Sequence, residues 1–254
     1  MRPDDIALMH RLADAAGAVI RPYFRSRLAV DHKNPDQPVT EADRAAEQAI
    51  RDLLRAERPE DGIIGEELGR HNPDADYVWV IDPIDGTKAF ITGKPLFTSL
   101  IGLAHRGAPV LGVVDQPVLR ERWIGGVEYP TQFNGEQVST WPCKHLADAY
   151  FNTTSPMMFT GAEEAPYRAL TAKVKHANYG GDAYAYALLA SGFIDIVMET
   201  KLQYYDFAAL VPIIMAAGGV MTDWAGRPLD AHSAGQVLAA GDPALHQQAL
   251  ALIA

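Results

Sequence analysis

The sequence predicts a layered α+β fold, with helices set against a mostly antiparallel sheet, on three observations. Apolar residues recur at helical spacing through the N-terminal part of the chain. The pattern then changes to short apolar runs, with Arg106-Gly107 and Asn134-Gly135 placed between them as hairpin turns. Beyond these, helix-like and strand-like segments alternate, so helices segregate from antiparallel strands in layers and a pure Rossmann layout is disfavoured.

After Pro3-Asp4, residues Leu8, Leu12, Ala15, Ala16, Val19, Ile20 and Tyr23 form one face of a first amphipathic helix. Pro35 and Pro38 interrupt the chain. Thr40-Glu41-Ala42-Asp43 has the form of a capping box and opens a second helix with the apolar face Ala42, Ala46, Ala49, Ile50, Leu53 and Leu54, closed by Arg58-Pro59. Strands are expected at Ile63-Ile64, Tyr77 to Ile81, Ser99 to Ala104, Val110 to Val114 and Arg122 to Val127. The second half predicts helices at Ala165 to Thr171, Asp182 to Ser191 and Asp206 to Ala217, the last two ended by Gly192 and Gly218-Gly219. Strands at Ile194 to Met198, Val220 to Asp223 and Val237 to Ala240 and a helix after Pro243 complete it. No repeat or long linker divides the chain, so a single domain over 1–254 is expected, with a softer boundary near 134–148.

The 254 residues, 48% hydrophobic, are enough to bury a sizeable core. With 22 Lys and Arg against 32 Asp and Glu the formal charge is −10, which repels nucleic acid and anionic lipid. One cysteine, Cys143, excludes an internal disulfide and a thiolate zinc site. The acidic start Met1-Arg2-Pro3-Asp4-Asp5 lacks the layout of a signal peptide, and no apolar run reaches the roughly 20 residues of a membrane span. A cytoplasmic location is the expectation.

The densest chemical signal is Tyr77-Val78-Trp79-Val80-Ile81-Asp82-Pro83-Ile84-Asp85-Gly86-Thr87, a buried strand that delivers two carboxylates and then a Gly-Thr turn. Two aspartates that close repel unless a cation lies between them, and hard oxygen ligands suit Mg²⁺. A helix starting at Asp85-Gly86-Thr87 would also offer N–H groups to a phosphate. Taken alone, the spacing also fits an Asx turn at a strand end. Gly65-Glu66-Glu67 puts adjacent acids at another strand end, a pattern that a solvated loop shares. In Tyr204-Tyr205-Asp206-Phe207 one acid sits among apolar neighbours at a helix start, where it could equally be an N-cap.

Taken together, Gly65-Glu66-Glu67, Asp82-Pro83-Ile84-Asp85-Gly86-Thr87 and Tyr205-Asp206 with Ala217-Gly218-Gly219-Val220 resemble the inositol monophosphatase family of metal-dependent, lithium-sensitive phosphatases. Lys33 and Thr40-x-x-Asp43 fit the same pattern, and the likeness spans essentially the whole chain. It implies a layered α/β fold, a homodimer and two or three Mg²⁺ ions per site. The first would take Glu66, Asp82 and the Ile84 carbonyl, and the second Asp82, Asp85 and Asp206. A third would lie near Glu66 and Glu67. Thr87 would relay a proton from the attacking water while hydrogen-bonded to Asp43, Lys33 would tune the carboxylates, and Asp85, Gly86 and Thr87 would receive the phosphate. As a helix cap, Asp43 would have a purely structural role.

Lys88-Ala89-Phe90 after Thr87, Asp115-Gln116-Pro117, Thr153-Thr154-Ser155-Pro156 and Asp182 to Gly192 are similar to the histidinol-phosphate phosphatase branch of that family. Histidinol phosphate carries an ammonium and an imidazole, so its pocket calls for acids. The resemblance implies that Gly181, Asp182 and Glu199 contact the substrate, whereas the plain alternative makes Asp182 a helix cap and Glu199 a strand end. An inositol-1-phosphatase, a broad sugar-phosphate phosphatase and a non-catalytic metal-binding protein are the competing readings.

Overall fold

The computed structural model describes residues 1–27, 29–34 and 37–253, with the backbone alone for 32–34 and 37–38. The helices are α1 (Asp5–Tyr23), α2 (Glu41–Glu57), α3 (Thr87–Ile91), α4 (Glu164–Thr171), α5 (Asp182–Ala190), α6 (Tyr204–Phe207), α7 (Leu210–Ala216) and α8 (Pro243–Ile253). The strands are β1 (Val30–Asn34), β2 (Gln37–Thr40), β3 (Gly62–Gly65), β4 (Gly69–His71), β5 (Tyr77–Asp85), β6 (Thr98–His105), β7 (Ala108–Gln116), β8 (Glu121–Gly126), β9 (Tyr129–Phe133), β10 (Glu136–Gln137), β11 (Tyr150–Thr153), β12 (His176–Tyr179), β13 (Ile196–Glu199), β14 (Val220–Thr222) and β15 (Val237–Ala240).

The strands build an eight-stranded sheet, β10-β9-β8-β7-β6-β5-β3-β4, a five-stranded sheet, β12-β11-β13-β15-β14, and the small β1–β2 hairpin. In the larger sheet only β3 and β5 run parallel, as the hairpin dipeptides led one to expect. The smaller sheet is mixed, with β11 parallel to both β12 and β13.

Side-chain alternation turns these sheets into layers. Ile101, Leu103, Leu111 and Val113 face α1 and α2, while Leu100 and Val114 face α5 and α7. Across that middle helix layer, Val197, Val237 and Ala239 of the smaller sheet close the second core. Ile196, Met198, Leu238 and Ala240 point the other way, onto α4 and α8. The order is therefore helix, sheet, helix, sheet, helix. Among the described residues no helix is long and apolar enough to cross a membrane.

One expected element comes out differently. The helix predicted from Asp206 to Ala217 is two short helices, α6 and α7, interrupted at Ala208-Ala209. Pro212 has no N–H to return to the carbonyl of Ala208, so the ladder opens there. The opened backbone lies on a row of glycines paired across the sheet, Gly102 with Gly112 and Gly112 with Gly125. A Cβ on Gly112 would lie 2.0 Å from the Ala209 oxygen, and one on Gly102 would lie 3.0 Å from Ala208. Only glycine permits this approach, which brings α6 and its Asp206 down beside β5.

Candidate active site

In a regular strand, residues three apart point to opposite faces, so Asp82 and Asp85 would diverge. Here β5 carries one extra residue against β6, with Asp82 opposite Leu100 and Asp85 opposite Thr98. That bulge turns both carboxylates to the same side. Ser99 Oγ fixes it by donating to the Pro83 carbonyl at 2.7 Å. Asp206 arrives from α6, and one carboxylate oxygen from each of Asp82, Asp85 and Asp206 lies within 4.8 Å of the others.

Each carboxylate is steered by one backbone donor. Ile84 N–H donates to Asp82 at 3.1 Å, Ala183 N–H to Asp85 at 2.6 Å and Gln203 N–H to Asp206 at 2.7 Å. Asp206 thus completes the capping box of α6, whose N-cap is Gln203, as well as facing the cluster. Burial pushes the Asp82 carboxyl well up from its ordinary value, with the charges of Glu66, Asp85 and Asp206 adding to the shift. Asp85 is raised in the same way, by burial and then by Asp182 and Asp206. Asp206 is pushed up to about 7, chiefly by burial. Acids held this close without a cation resist ionisation, as their geometry requires.

Glu66 follows β3 in the tight turn to β4. Its N–H donates to the Ile81 carbonyl at 3.1 Å, and its carboxyl acts on Asp82 and raises it, just outside the trio of closest oxygens. Glu67 is the next residue of the same turn. The Ile84 carbonyl accepts from Thr87 Oγ1 at 3.1 Å and keeps a second lone pair.

That bond departs from the expected one, because Thr87 is directed to Ile84 and not to Asp43. The buried Asp43 carboxylate accepts from the Thr40 N–H at 2.8 Å and the Thr40 hydroxyl at 2.6 Å, which makes it the cap of α2. The Lys33 side chain lies outside the described residues. Gly86, with φ of 81°, turns the chain from β5 into α3, whose first N–H groups lack helical partners.

A cavity of 170 Å³ adjoins the trio, lined among others by Asp85, Asp206, Asp182, Glu199, Thr154 and Tyr186. Gly181 and Asp182 enter α5 with φ of 104° and 43°, a left-handed entry that glycine and aspartate tolerate. Burial, then the neighbouring Glu199, push the Asp182 carboxyl up to about 7, while Lys88 pulls against them. Glu199, raised by burial, accepts from the Thr154 N–H at 2.9 Å and from the Tyr186 hydroxyl at 3.3 Å. Sequence reasoning assigned no role to Tyr186; its place one helical turn after Asp182 was the available signal.

The donor set is all oxygen, clustered, and partly open to a cavity. It fits a hard divalent cation such as Mg²⁺, with room for a small phosphorylated molecule beside it.

Comparison with known proteins agrees with this chemistry. The inositol monophosphatase family matches over residues 4–254. The chloroplastic bifunctional phosphatase IMPL2 of Arabidopsis thaliana is 50% identical over 253 residues, covering 96% of this chain and 73% of that protein. The histidinol-phosphatase of Mycobacterium tuberculosis is 37% identical over 230 residues, 87% of this chain and 88% of that protein. Among solved structures, an inositol monophosphatase from Zymomonas mobilis superposes with a TM-score of 0.91 at 50% identity, covering 98% of this chain and 97% of that one.

Proposed function

The chain belongs to the inositol monophosphatase family and is a phosphatase of that family, and from that premise we propose that it hydrolyses L-histidinol phosphate to L-histidinol with Mg²⁺. The observation that carries the substrate reading is the shared cavity, where Asp85 and Asp206 stand on the same wall as Asp182 and Glu199. Two further acids can accept hydrogen bonds from a neutral polyol, but its hydroxyls bring no charge to offset theirs. Both acids suit a leaving group bearing an ammonium, whose charge offsets both the burial and the Glu199 repulsion that push Asp182 up to about 7.

Asp82, Asp85, Asp206, Glu66 and the Ile84 carbonyl are the residues that would hold the metal, with Glu67 beside them. When bound, Mg²⁺ supplies neutralisation of phosphate oxygens and a more acidic water. Thr87 Oγ1 gives its own proton to Ile84, so its lone pairs are free to accept from that water and orient it. Relay onward to Asp43 requires that bond to exchange. Gly86, Thr87 and the start of α3 offer backbone donors to the phosphate. The Thr154 N–H and Tyr186 hydroxyl hold Glu199 in place against the substrate's amine. Lithium sensitivity and a homodimer, both implied by the family resemblance, belong to the same proposal. Inhibition by LiCl and light scattering test them.

The direct test is phosphate release from histidinol phosphate and from inositol 1-phosphate at equal concentration with Mg²⁺. A higher kcat/KM on histidinol phosphate is expected. Equal or better turnover of inositol 1-phosphate would favour the second reading, which the 50% identity to the Zymomonas mobilis inositol monophosphatase supports.

A further inference from the structure

The turn that carries Glu66 and Glu67 is gripped from behind by a buried ion pair on α2. Glu47 is fully buried and Arg51 is 2% exposed, and Arg51 Nε donates to Glu47 Oε1 at 2.7 Å. Residues 66–68 form the three-residue loop of the β3–β4 hairpin, with Gly69 at φ of 74° closing it opposite Gly65. Glu47 Oε2 accepts the Glu67 N–H at 2.7 Å, and Oε1 accepts the Leu68 N–H at 3.2 Å. Arg51 Nη2 donates to the Gly69 carbonyl. Two residues of the turn and the glycine that closes it are therefore tied by their backbone to one charged pair.

Gly65 is the other half of the device. A Cβ there would lie 1.9 Å from Glu47 Oε1, so only glycine leaves room for the carboxylate to reach under the turn. A buried charged pair on a helix is a costly way to stabilise a fold when apolar packing would serve. Its yield here is geometric, because it fixes the backbone from which Glu66 reaches Asp82.

We propose that Glu47, seated by Arg51 and the missing side chain of Gly65, is a positioning residue that preorganises the Glu66–Glu67 turn for divalent-cation binding. It touches neither metal nor substrate; its effect passes through the turn. The inference rests on the metal-dependent reading above.

The test is the binding of Mn²⁺ alone, read by electron paramagnetic resonance of the free ion, in wild type, Glu47→Gln, Gly65→Ala and Leu54→Val. Glu47→Gln keeps the shape but sets an amide N–H₂ against a backbone N–H or the guanidinium, and Gly65→Ala displaces the carboxylate while removing no polar group. Both should weaken Mn²⁺ binding about tenfold, the scale of one charged hydrogen bond. Leu54→Val loosens the packing of the same helix at a buried residue with no polar group to tie to the turn, and should lower the melting temperature at unchanged affinity. Wild-type affinity in both Glu47→Gln and Gly65→Ala, or a loss no greater than in Leu54→Val, would overturn the proposal. Absence of Mn²⁺ binding by the wild type would overturn the metal reading itself, a result distinct from the first.

Discussion

At the N-terminal end of β5 buried carboxylates are met by cations; at its C-terminal end they are met by other carboxylates. Asp5 accepts the backbone N–H of Arg2 at 2.7 Å and its Nε at 2.9 Å. Asp61 is gripped by both terminal nitrogens of Arg2, at 2.9 and 2.7 Å, and by the Trp79 indole at 2.8 Å, with the same guanidinium over the Tyr77 ring. Asp82, Asp85 and Asp206 have one backbone donor each, and no Lys or Arg pairs with them among the described residues. The first cluster is complete as the chain folds. On the proposed metal-dependent reading the second is completed by an external cation, so the same residue type would serve stability at one end of the strand and chemistry at the other.

The comparison breaks most sharply if Asp85→Asn leaves turnover intact. The amide oxygen can still accept from Ala183, so the fold should survive and the metal-free protein should be no less stable, since a repelling charge has gone. Turnover should fall by at least about 10³-fold, the equivalent of roughly 4 kcal/mol of lost charge stabilisation. Phosphate-release kinetics and a thermal melt on one preparation check both halves.

Asp61→Asn should do the reverse. It removes the charge paired with both terminal nitrogens of Arg2, leaves Asp5 as the remaining carboxylate on that guanidinium, and should cost about 3 kcal/mol of stability by urea unfolding. Activity below the transition should be unchanged. A large loss of kcat in this variant would mean that the two ends of β5 are coupled.

These contrasts explain what the sequence made legible. Asp82 and Asp85 stood out because a run as apolar as Tyr77 to Ile81 rarely ends in two acids without a use for them, and the bulge that unites them was hidden only in its geometry. Glu47 and Arg51 were invisible because charges four apart on a helix ordinarily read as a solvated face, and the predicted apolar face took Ala49 and Leu53, which are half-buried. The strands Tyr129–Phe133, Tyr150–Thr153 and His176–Tyr179 were missed because each is short and lacks clean alternation, so their pairing comes from neighbours. The break at Pro212 was in plain sight, and helical periodicity on both sides concealed it. The bond from Thr87 to Ile84 was beyond sequence reach, because a hydroxyl's partner depends on where its rotor points.

Next in size is the effect of the cation on stability. Asp82, Asp85, Asp182 and Asp206 all have folded values raised above the unfolded value near 4. The folded, metal-free protein therefore holds protons that the unfolded chain releases. For Asp182 and Asp206 the resulting stability is full below about pH 4 and is lost as pH rises through about 7, and for Asp82 and Asp85 it is likewise lost as pH rises. On the proposed reading Mg²⁺ binds Asp82, Asp85 and Asp206 in their ionised form, so its stabilisation should grow as pH rises, to about 2.7 kcal/mol at a hundredfold excess over Kd. Melting curves with EDTA and with Mg²⁺ at pH 5 and pH 8 read this directly. A metal increment that is constant across that range would mean that the raised acids are not its ligands.

The smallest effect sharpens the comparison within the site itself. Glu199 is buried and accepts from Thr154 and Tyr186, so it is a satisfied acid by the standard of Asp61, yet it lines the same cavity as Asp85 and Asp206. Glu199→Gln retains the acceptor for Thr154, removes the charge and sets an amide NH₂ against the Tyr186 hydroxyl, which can turn to accept from it. If that charge meets a substrate ammonium, kcat/KM on histidinol phosphate should fall about ten- to thirtyfold, equivalent to roughly 1.4–2 kcal/mol, while a neutral polyol phosphate loses much less. Asp182→Asn should show the same selectivity, and its loss should not simply add to that of Glu199→Gln, because the Glu199 charge raises the proton affinity of Asp182. Equal losses on cationic and neutral substrates would place Glu199 with the structural acids at the far end of β5, acting through Thr154 and Tyr186 on the shape of the cavity, and the cationic-substrate reading would fall with it.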